Sequence, residues 1–151
     1  MKVCVYGVGA IGGLLGYGLA KAGWELSGLA RGATLDALRA RGLRFAGGAG
    51  LAAGSAPIRA SADPRELGAQ DLVVLAVKAP ALSEAAAGIG PLLGPGTIVL
   101  PAMNGLPWWF FQGFGGELEG SSLGSVDPEG SIAAAIPARS LVGCVVHLGA
   151  S

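Results

Sequence analysis

The glycine-rich segment GVGAIGG at residues 7–13 constrains the fold more than any other part of the sequence. It follows directly on the β-branched run Lys2–Tyr6, which we predict to be a buried strand. It leads into a helix predicted over Ala10–Ala22. The spacing G-x-G-x-x-G is weak evidence by itself in a chain with 28 glycines. The strand before it and the helix after it are the context in which such a loop binds a pyrophosphate.

In that context each glycine of the loop has a physical role. We expect Gly7 to permit the tight turn, Gly9 to let the backbone approach the phosphates, and Gly12 to let the helix pack close to the strand. The free N–H groups at the start of the helix would attract the same anion. The alternative is an ordinary strand-to-helix turn whose glycines serve packing only. The residues predicted to bind the nucleotide here are Gly7, Val8, Gly9, Ala10, Ile11 and Gly12.

Strands and helices continue to alternate along the chain. This pattern predicts an α/β fold of the Rossmann type, with a doubly wound, mostly parallel sheet. Further strands are predicted at Trp24–Ala30, Asp71–Lys78 and Thr97–Leu100, and further helices at Thr34–Arg41 and Ala81–Leu93. We also expect a small hairpin within residues 43–58, a loop over residues 113–130, and two late strands at Ser131–Ile136 and Leu141–His147.

The composition fits one domain, residues 1–151, and excludes several classes of partner. Apolar residues make up 52% of the chain, which is too many for a disordered protein. Lys plus Arg and Asp plus Glu both number 10, so the chain lacks the basic excess that nucleic acids or membrane surfaces attract. Cys4 and Cys144 lie in apolar runs and are predicted to be reduced core thiols. No spacing typical of a metal site occurs, and the single His147 is predicted to be structural.

The uncharged stretch at residues 3–20 allows a second interpretation, as a signal peptide or a membrane span. Six glycines fall within it, and they would weaken an apolar helix throughout. We therefore expect a soluble, cytoplasmic protein.

The end of the second predicted strand indicates which nucleotide binds. Enzymes that use NAD typically carry Asp or Glu at that point to hold the ribose 2′-hydroxyl. This strand ends instead in Leu29-Ala30-Arg31-Gly32. Arg31 could pair with the 2′-phosphate of NADP through charge-assisted hydrogen bonds, or it could be a solvated arginine at a turn. Glu25 lies too early in the strand to reach the ribose.

Several segments together resemble the N-terminal domain of the ketopantoate reductase family, over essentially the whole chain. They are GVGAIGG, Ala30-Arg31-Gly32, the strand ending in Ala76-Val77-Lys78-Ala79, the strand ending in Asn104-Gly105, and the late segments SVDPEGSIAAAI and LVGCVVHLGA. The resemblance implies NADPH-dependent reduction of a 2-keto acid, most specifically of ketopantoate to pantoate.

The resemblance also implies that Lys78 and Asn104 line the cleft near the nicotinamide and the substrate. Lys78 could pair with a carboxylate or with cofactor oxygens, and Asn104 could hydrogen-bond a substrate hydroxyl or carboxylate. Both follow strands at the edge where open α/β sheets bind ligands. The residue types alone also allow a solvated strand end at Lys78 and a turn residue at Asn104.

Members of this family continue into a helical domain that carries the catalytic lysine and an acidic substrate-binding residue. Neither can be placed in this chain, so we expect it to bind the cofactor but to turn over little substrate alone. Two other functions stay open, namely another NADP-dependent hydroxy-acid dehydrogenase and a non-catalytic NADP-sensing module. A homo-oligomer is compatible with the sequence. The aromatic run at residues 108–111 could wall the substrate cleft or pack against another domain, or it could form local core with one exposed ring.

Overall fold

A computed structural model describes residues 1–113, 115–147 and 149. Its strands are β1 (Lys2–Tyr6), β2 (Glu25–Leu29), β3 (Leu43–Phe45), β4 (Gly54–Ala56), β5 (Arg59–Ser61), β6 (Leu72–Leu75) and β7 (Ile98–Pro101). Its helices are α1 (Ala10–Lys21), α2 (Gly32–Arg41), α3 (Leu82–Gly88) and α4 (Ser131–Ala135). Single 3-10 turns cover Pro64–Glu66, Ala79–Ala81, Gly90–Leu92 and Ala138–Ser140.

The main sheet has five strands in the order β5-β2-β1-β6-β7, and every neighbouring pair is parallel. From β1 the chain moves outward to β2 and β5, then returns to the other side of β1 to form β6 and β7. The strand order therefore reverses between β1 and β6, which is the topological switch point of a Rossmann fold. Strands β3 and β4 pair separately as an antiparallel hairpin. The predicted fold class and the predicted hairpin are both confirmed.

The sheet is covered on both faces because its central strands are apolar on both sides. Val3 and Val5 pack into a cluster with Tyr17 of α1 and Leu38 of α2. Cys4 points the other way, into a second cluster that also holds α3 residues such as Ala85. This alternation along β1 explains why a continuous apolar run forms a strand here, since helices cover each face in turn.

The predicted strand at Ser131–Ile136 is wrong, because this segment forms helix α4. Alanine has the highest helix propensity, and three alanines occur in succession here. Asp127 supplies the start signal, since its carboxylate accepts hydrogen bonds from the backbone N–H groups of Ile132 and Ala133, at 3.1 and 2.9 Å. Ile132 and Ile136 then share one helix face, and both are buried in the cluster with α3.

The predicted strand at Leu141–His147 is also wrong as a whole. Within the described part of this segment, pairing is limited to a parallel bridge between Leu141 and Val99 of β7, with Val142 donating to the Val99 carbonyl at 3.0 Å. His147 is exposed in irregular structure. Strand β5 is an addition to the predicted set. The helix predicted over Ala81–Leu93 is shorter because Gly90-Pro91 ends it as a 3-10 turn.

Three smaller features complete the fold. Across residues 1–113, 115–147 and 149, no helix combines the length and the apolar character that spanning a membrane requires. Cys4 is fully buried and Cys144 half-buried, and neither forms a disulfide. Trp108 lies in the core cluster, whereas Phe110 is 40% exposed. The aromatic run therefore contributes to the local core, leaves one ring exposed and does not line the cleft described below. Packing of the exposed ring against another domain stays a prediction.

Candidate nucleotide-binding cleft

A cleft of about 740 Å³ opens at the carboxyl ends of β1 and β6, where the strand order reverses. Its volume lies in the range of small-molecule and cofactor sites. Nearly all of the predicted site residues line it, namely Gly7, Val8, Gly9, Ala10, Ile11, Arg31, Lys78 and Asn104. The structure thus brings together side chains that are spread over a hundred positions of the sequence. Gly12 is the exception, because it lies behind the loop.

The glycines of the loop have different surroundings. Gly7 adopts a φ of 94°, which side chains rarely allow, and so it makes the tight turn out of β1. A Cβ on Gly12 would lie 2.3 Å from the carbonyl oxygen of Gly7 and 2.8 Å from Val5, so only glycine lets α1 sit this close to β1. A Cβ on Gly9 would have no atom within 4 Å. Gly9 therefore leaves free space where the loop faces the cleft.

Helix α1 presents its N-terminus to the same space. Gly9 is the capping residue, and no side chain of the described residues caps the helix there. The first turn contains no acidic residue. The first N–H groups of a helix lack intrahelical partners and carry a partial positive charge. The mouth of the cleft beside Gly9 and Ala10 is therefore suited to an anion.

Arg31 lies at the end of β2 and is the residue before helix α2. Its guanidinium Nη1 lies 2.6 Å from Oε1 of Glu84, which belongs to the first turn of α3 on the opposite wall of the cleft. Hydrogen bonding and charge attraction from Glu84 raise the pKa of Arg31. Both side chains are mostly exposed, at 69% and 63%. Glu84 was not among the predicted site residues. The only indication of it in the sequence is its position as an acidic residue early in the helix that follows Lys78.

Lys78 and Asn104 lie on the far side of the switch point from Arg31. Lys78 leads out of β6 and is exposed to the cleft. The Asn104 side chain is held by the late segment of the chain, since its Nδ2 donates to the carbonyl of Val146 at 2.9 Å. Its Oδ1 accepts from the N–H of Val146 at 2.8 Å. With respect to the residues that the structure describes, one amide hydrogen and one lone pair of Asn104 stay available for another molecule.

Tyr6 and Met103 are among the residues that line the cleft without having been predicted to do so. Tyr6 ends β1 beneath the loop, and burial raises the pKa of its hydroxyl. The hydroxyl therefore stays a protonated donor at neutral pH. Met103 lies between β7 and Asn104 and adds an apolar wall. The position of Tyr6 at the end of a strand could have indicated from the sequence that it lines the cleft. The chemistry of the Met103 side chain gives no such indication.

The sequence profile described as "Ketopantoate reductase PanE/ApbA" matches residues 3–108. That range is more than half of the chain and contains every predicted site residue. The chain belongs to the ketopantoate reductase family. The resemblance stated from its motifs is thereby confirmed.

Individual relatives agree with this assignment to the ketopantoate reductase family. A 2-dehydropantoate 2-reductase from Mesorhizobium japonicum is 49% identical over 97% of this chain, which spans 45% of that relative. A crystal structure from Ralstonia solanacearum MolK2, provisionally named a ketopantoate reductase, is 56% identical with a TM-score of 0.89. It covers 97% of this chain and 45% of its own. The 2-dehydropantoate 2-reductase of Porphyromonas gingivalis W83 is 25% identical with a TM-score of 0.69, over 98% and 47% of the two chains.

The chain therefore spans less than half the length of these family members.

Proposed function

We propose that the chain binds NADPH in the cleft at the β1–β6 switch point and serves the reduction of a 2-keto acid, with ketopantoate as the substrate. The observation that carries this proposal is the convergence of the glycine loop, Arg31, Lys78 and Asn104 on one cleft. The family assignment supports the substrate, as does the activity for which the Mesorhizobium relative is named.

The residues around the loop fit the pyrophosphate of such a cofactor. Gly9 leaves open the volume that a side chain would otherwise fill. The uncapped N-terminus of α1 offers N–H groups and a partial positive charge to the phosphates. Gly12 holds that helix close to β1, so that its N-terminus faces the cleft.

The adenosine end of the cofactor would lie beside Arg31. The end of β2 carries no acidic side chain that would hold a ribose 2′-hydroxyl, since the strand ends at Leu29 and Ala30 follows it. The exposed guanidinium of Arg31 is instead suited to a 2′-phosphate, which it can contact with two parallel hydrogen bonds. This arrangement favours NADPH over NADH.

The nicotinamide end would lie beside Lys78 and Asn104. The nicotinamide supplies a hydride to the keto carbon when the cofactor is bound. Lys78 offers a positive charge to the substrate carboxylate, and the free amide hydrogen of Asn104 can hydrogen-bond a substrate oxygen. Both groups orient the substrate, which is how positioning residues lower a barrier.

Titration of the chain with NADPH and with NADH, followed by cofactor fluorescence, tests the proposal. We expect tighter binding of NADPH and a loss of that preference in Arg31→Ala. Charge-assisted contacts of this kind typically correspond to roughly 10- to 150-fold in affinity. Arg41→Ala is the matched control, because Arg41 is an exposed arginine in the last turn of α2, the helix that Arg31 precedes.

Equal affinity for the two cofactors in the unmodified chain would contradict the role of Arg31. An equal loss of NADPH affinity in Arg31→Ala and Arg41→Ala would also contradict it, since overall charge would then explain the effect. Absence of binding by either cofactor would contradict the proposed site as a whole.

A further inference from the structure

The cleft contains the carboxylate of Glu84, to which the proposed reduction assigns no role. Among the described residues that line the cleft, Glu84 is the one acidic side chain, against the two cations Arg31 and Lys78. Its Oε1 lies 2.6 Å from Nη1 of Arg31. The cation that would hold a 2′-phosphate is therefore already paired with an anion from the opposite wall.

The fold fixes Glu84 in that position through its neighbours on α3. Leu82, Ala85 and Ala86 are all buried in the core cluster on the α3 face of the sheet. Glu84 lies on the other face of this short helix, so its side chain extends to the cleft. Arg31 is placed independently, by the end of β2.

We propose that Glu84 is a specificity-determining residue that competes with the cofactor's 2′-phosphate for Arg31 and so limits the preference for NADPH over NADH. This inference rests on the proposed binding of NADPH in this cleft. A 2′-phosphate must displace the Glu84 carboxylate from Arg31, and the displaced carboxylate then lies beside a second anion. A cofactor without the 2′-phosphate leaves the Arg31–Glu84 pair intact. Its binding therefore neither breaks that ion pair nor brings a second anion close to Glu84.

The test uses ligands that occupy only the adenosine end of the cleft, namely adenosine 2′,5′-bisphosphate and AMP, titrated by calorimetry. Exposed ion pairs are weak, so we expect Glu84→Gln to tighten binding of the bisphosphate by about two- to fivefold. Binding of AMP should change by less than the error of the titration. The same variant should raise the ratio of NADPH to NADH affinity by a similar factor.

Asp36→Asn is the matched control, because Asp36 is an exposed carboxylate on α2, the helix that Arg31 precedes, and does not line the cleft. It makes the same change in net charge and should leave both affinities unaltered. In an Arg31→Ala background, Glu84→Gln should give a smaller gain than in the unmodified chain, because the competition for Arg31 is gone. Thermal denaturation of each variant confirms that the fold is retained.

Unchanged or weaker binding of the bisphosphate by Glu84→Gln would overturn the inference while leaving the proposed function intact. An equal gain in Asp36→Asn, or an undiminished gain in the Arg31→Ala background, would overturn it as well. Equal binding of the bisphosphate and AMP by the unmodified chain would overturn the proposed role of Arg31, and the inference with it.

Discussion

Two glycines of one loop satisfy opposite physical requirements. Gly12 is buried, and a methyl group there would meet the carbonyl of Gly7 and the side chain of Val5. Gly9 is exposed to the cleft, and a methyl group there would meet no protein atom. Gly12 is thus required by the fold, whereas the fold does not require Gly9, whose proposed role is to leave room for the phosphates.

Substituting alanine at each position should separate the two requirements. Gly9→Ala has a permitted backbone conformation, with φ of −95°, so its free energy of unfolding should stay the same or rise by up to about 1 kcal/mol. Its affinity for NADPH should fall about five- to 150-fold, because the methyl group crowds the phosphates by about 1–3 kcal/mol.

Gly12→Ala should instead lose about 3 kcal/mol or more of stability, since it forces the helix away from the strand. Urea denaturation and NADPH titration of both variants make the comparison. Normal NADPH affinity in Gly9→Ala would refute the placement of the phosphates beside that residue.

At the same scale, the sequence predicts some site residues and misses others for a definable reason. Arg31, Lys78 and Asn104 each follow a strand, and parallel strands bring their carboxyl ends to one edge of the sheet. Glu84 belongs to a helix, and its distance from Arg31 depends on how α3 crosses the sheet. Local sequence patterns do not determine that crossing.

At the scale of the element, α4 depends on a single buried carboxylate. Asp127 is 4% exposed and accepts from two N–H groups of the helix's first turn. A helix of five residues is too short to be stable by itself, so its cap and its packing against α3 have to hold it.

Asp127→Ala should therefore lower the free energy of unfolding by about 1–2 kcal/mol, the usual cost of losing a helix cap. The exposed neighbour Glu129 provides the control, and Glu129→Ala should change stability by less than about 0.5 kcal/mol. Chemical denaturation followed by tryptophan fluorescence suits the measurement, because Trp108 packs in the same cluster as Ile132. Equal stability of the two variants would mean that packing alone holds α4.

The same element shows why the end of the fold was harder to predict than its beginning. Strand β1, the glycine loop and α1 carry three signals that agree over twenty consecutive residues. The Ser131–Ile136 segment combines apolar residues compatible with either structure, and the cap that decides for a helix lies outside it, at Asp127. Residues 141–147 are mostly apolar, yet beyond the bridge at Leu141 the backbone of Val146 pairs with the Asn104 side chain instead of with a strand.

At the scale of the whole molecule, Cys4 reports on the integrity of the sheet. It lies at the centre of β1, between β2 and β6, and is fully buried. Burial raises the pKa of its thiol to about 12, while hydrogen bonds from Ser27 and the Leu29 backbone lower it by less. Because the folded pKa exceeds the unfolded value, this thiol's contribution to stability is complete below the unfolded pKa and declines as pH rises toward about 12.

A thiol reagent at about pH 8 should therefore modify Cys144, which is half-buried, and reach Cys4 only when the sheet opens. In a Cys144→Ser variant the labelling rate of Cys4, followed by mass spectrometry, then measures that opening.

NADPH at about 100 times its Kd stabilises the folded chain by about 2.7 kcal/mol and should slow labelling of Cys4 about 100-fold. Adding Arg31→Ala should reduce this protection to roughly 2- to 11-fold at the same NADPH concentration, because binding weakened about 10- to 150-fold leaves NADPH at only about 0.7 to 10 times the new Kd.

Labelling of Cys4 as fast as that of Cys144 would show that β1 is accessible without opening of the sheet. Undiminished protection in the Arg31→Ala variant would show that NADPH stabilises the fold from another site.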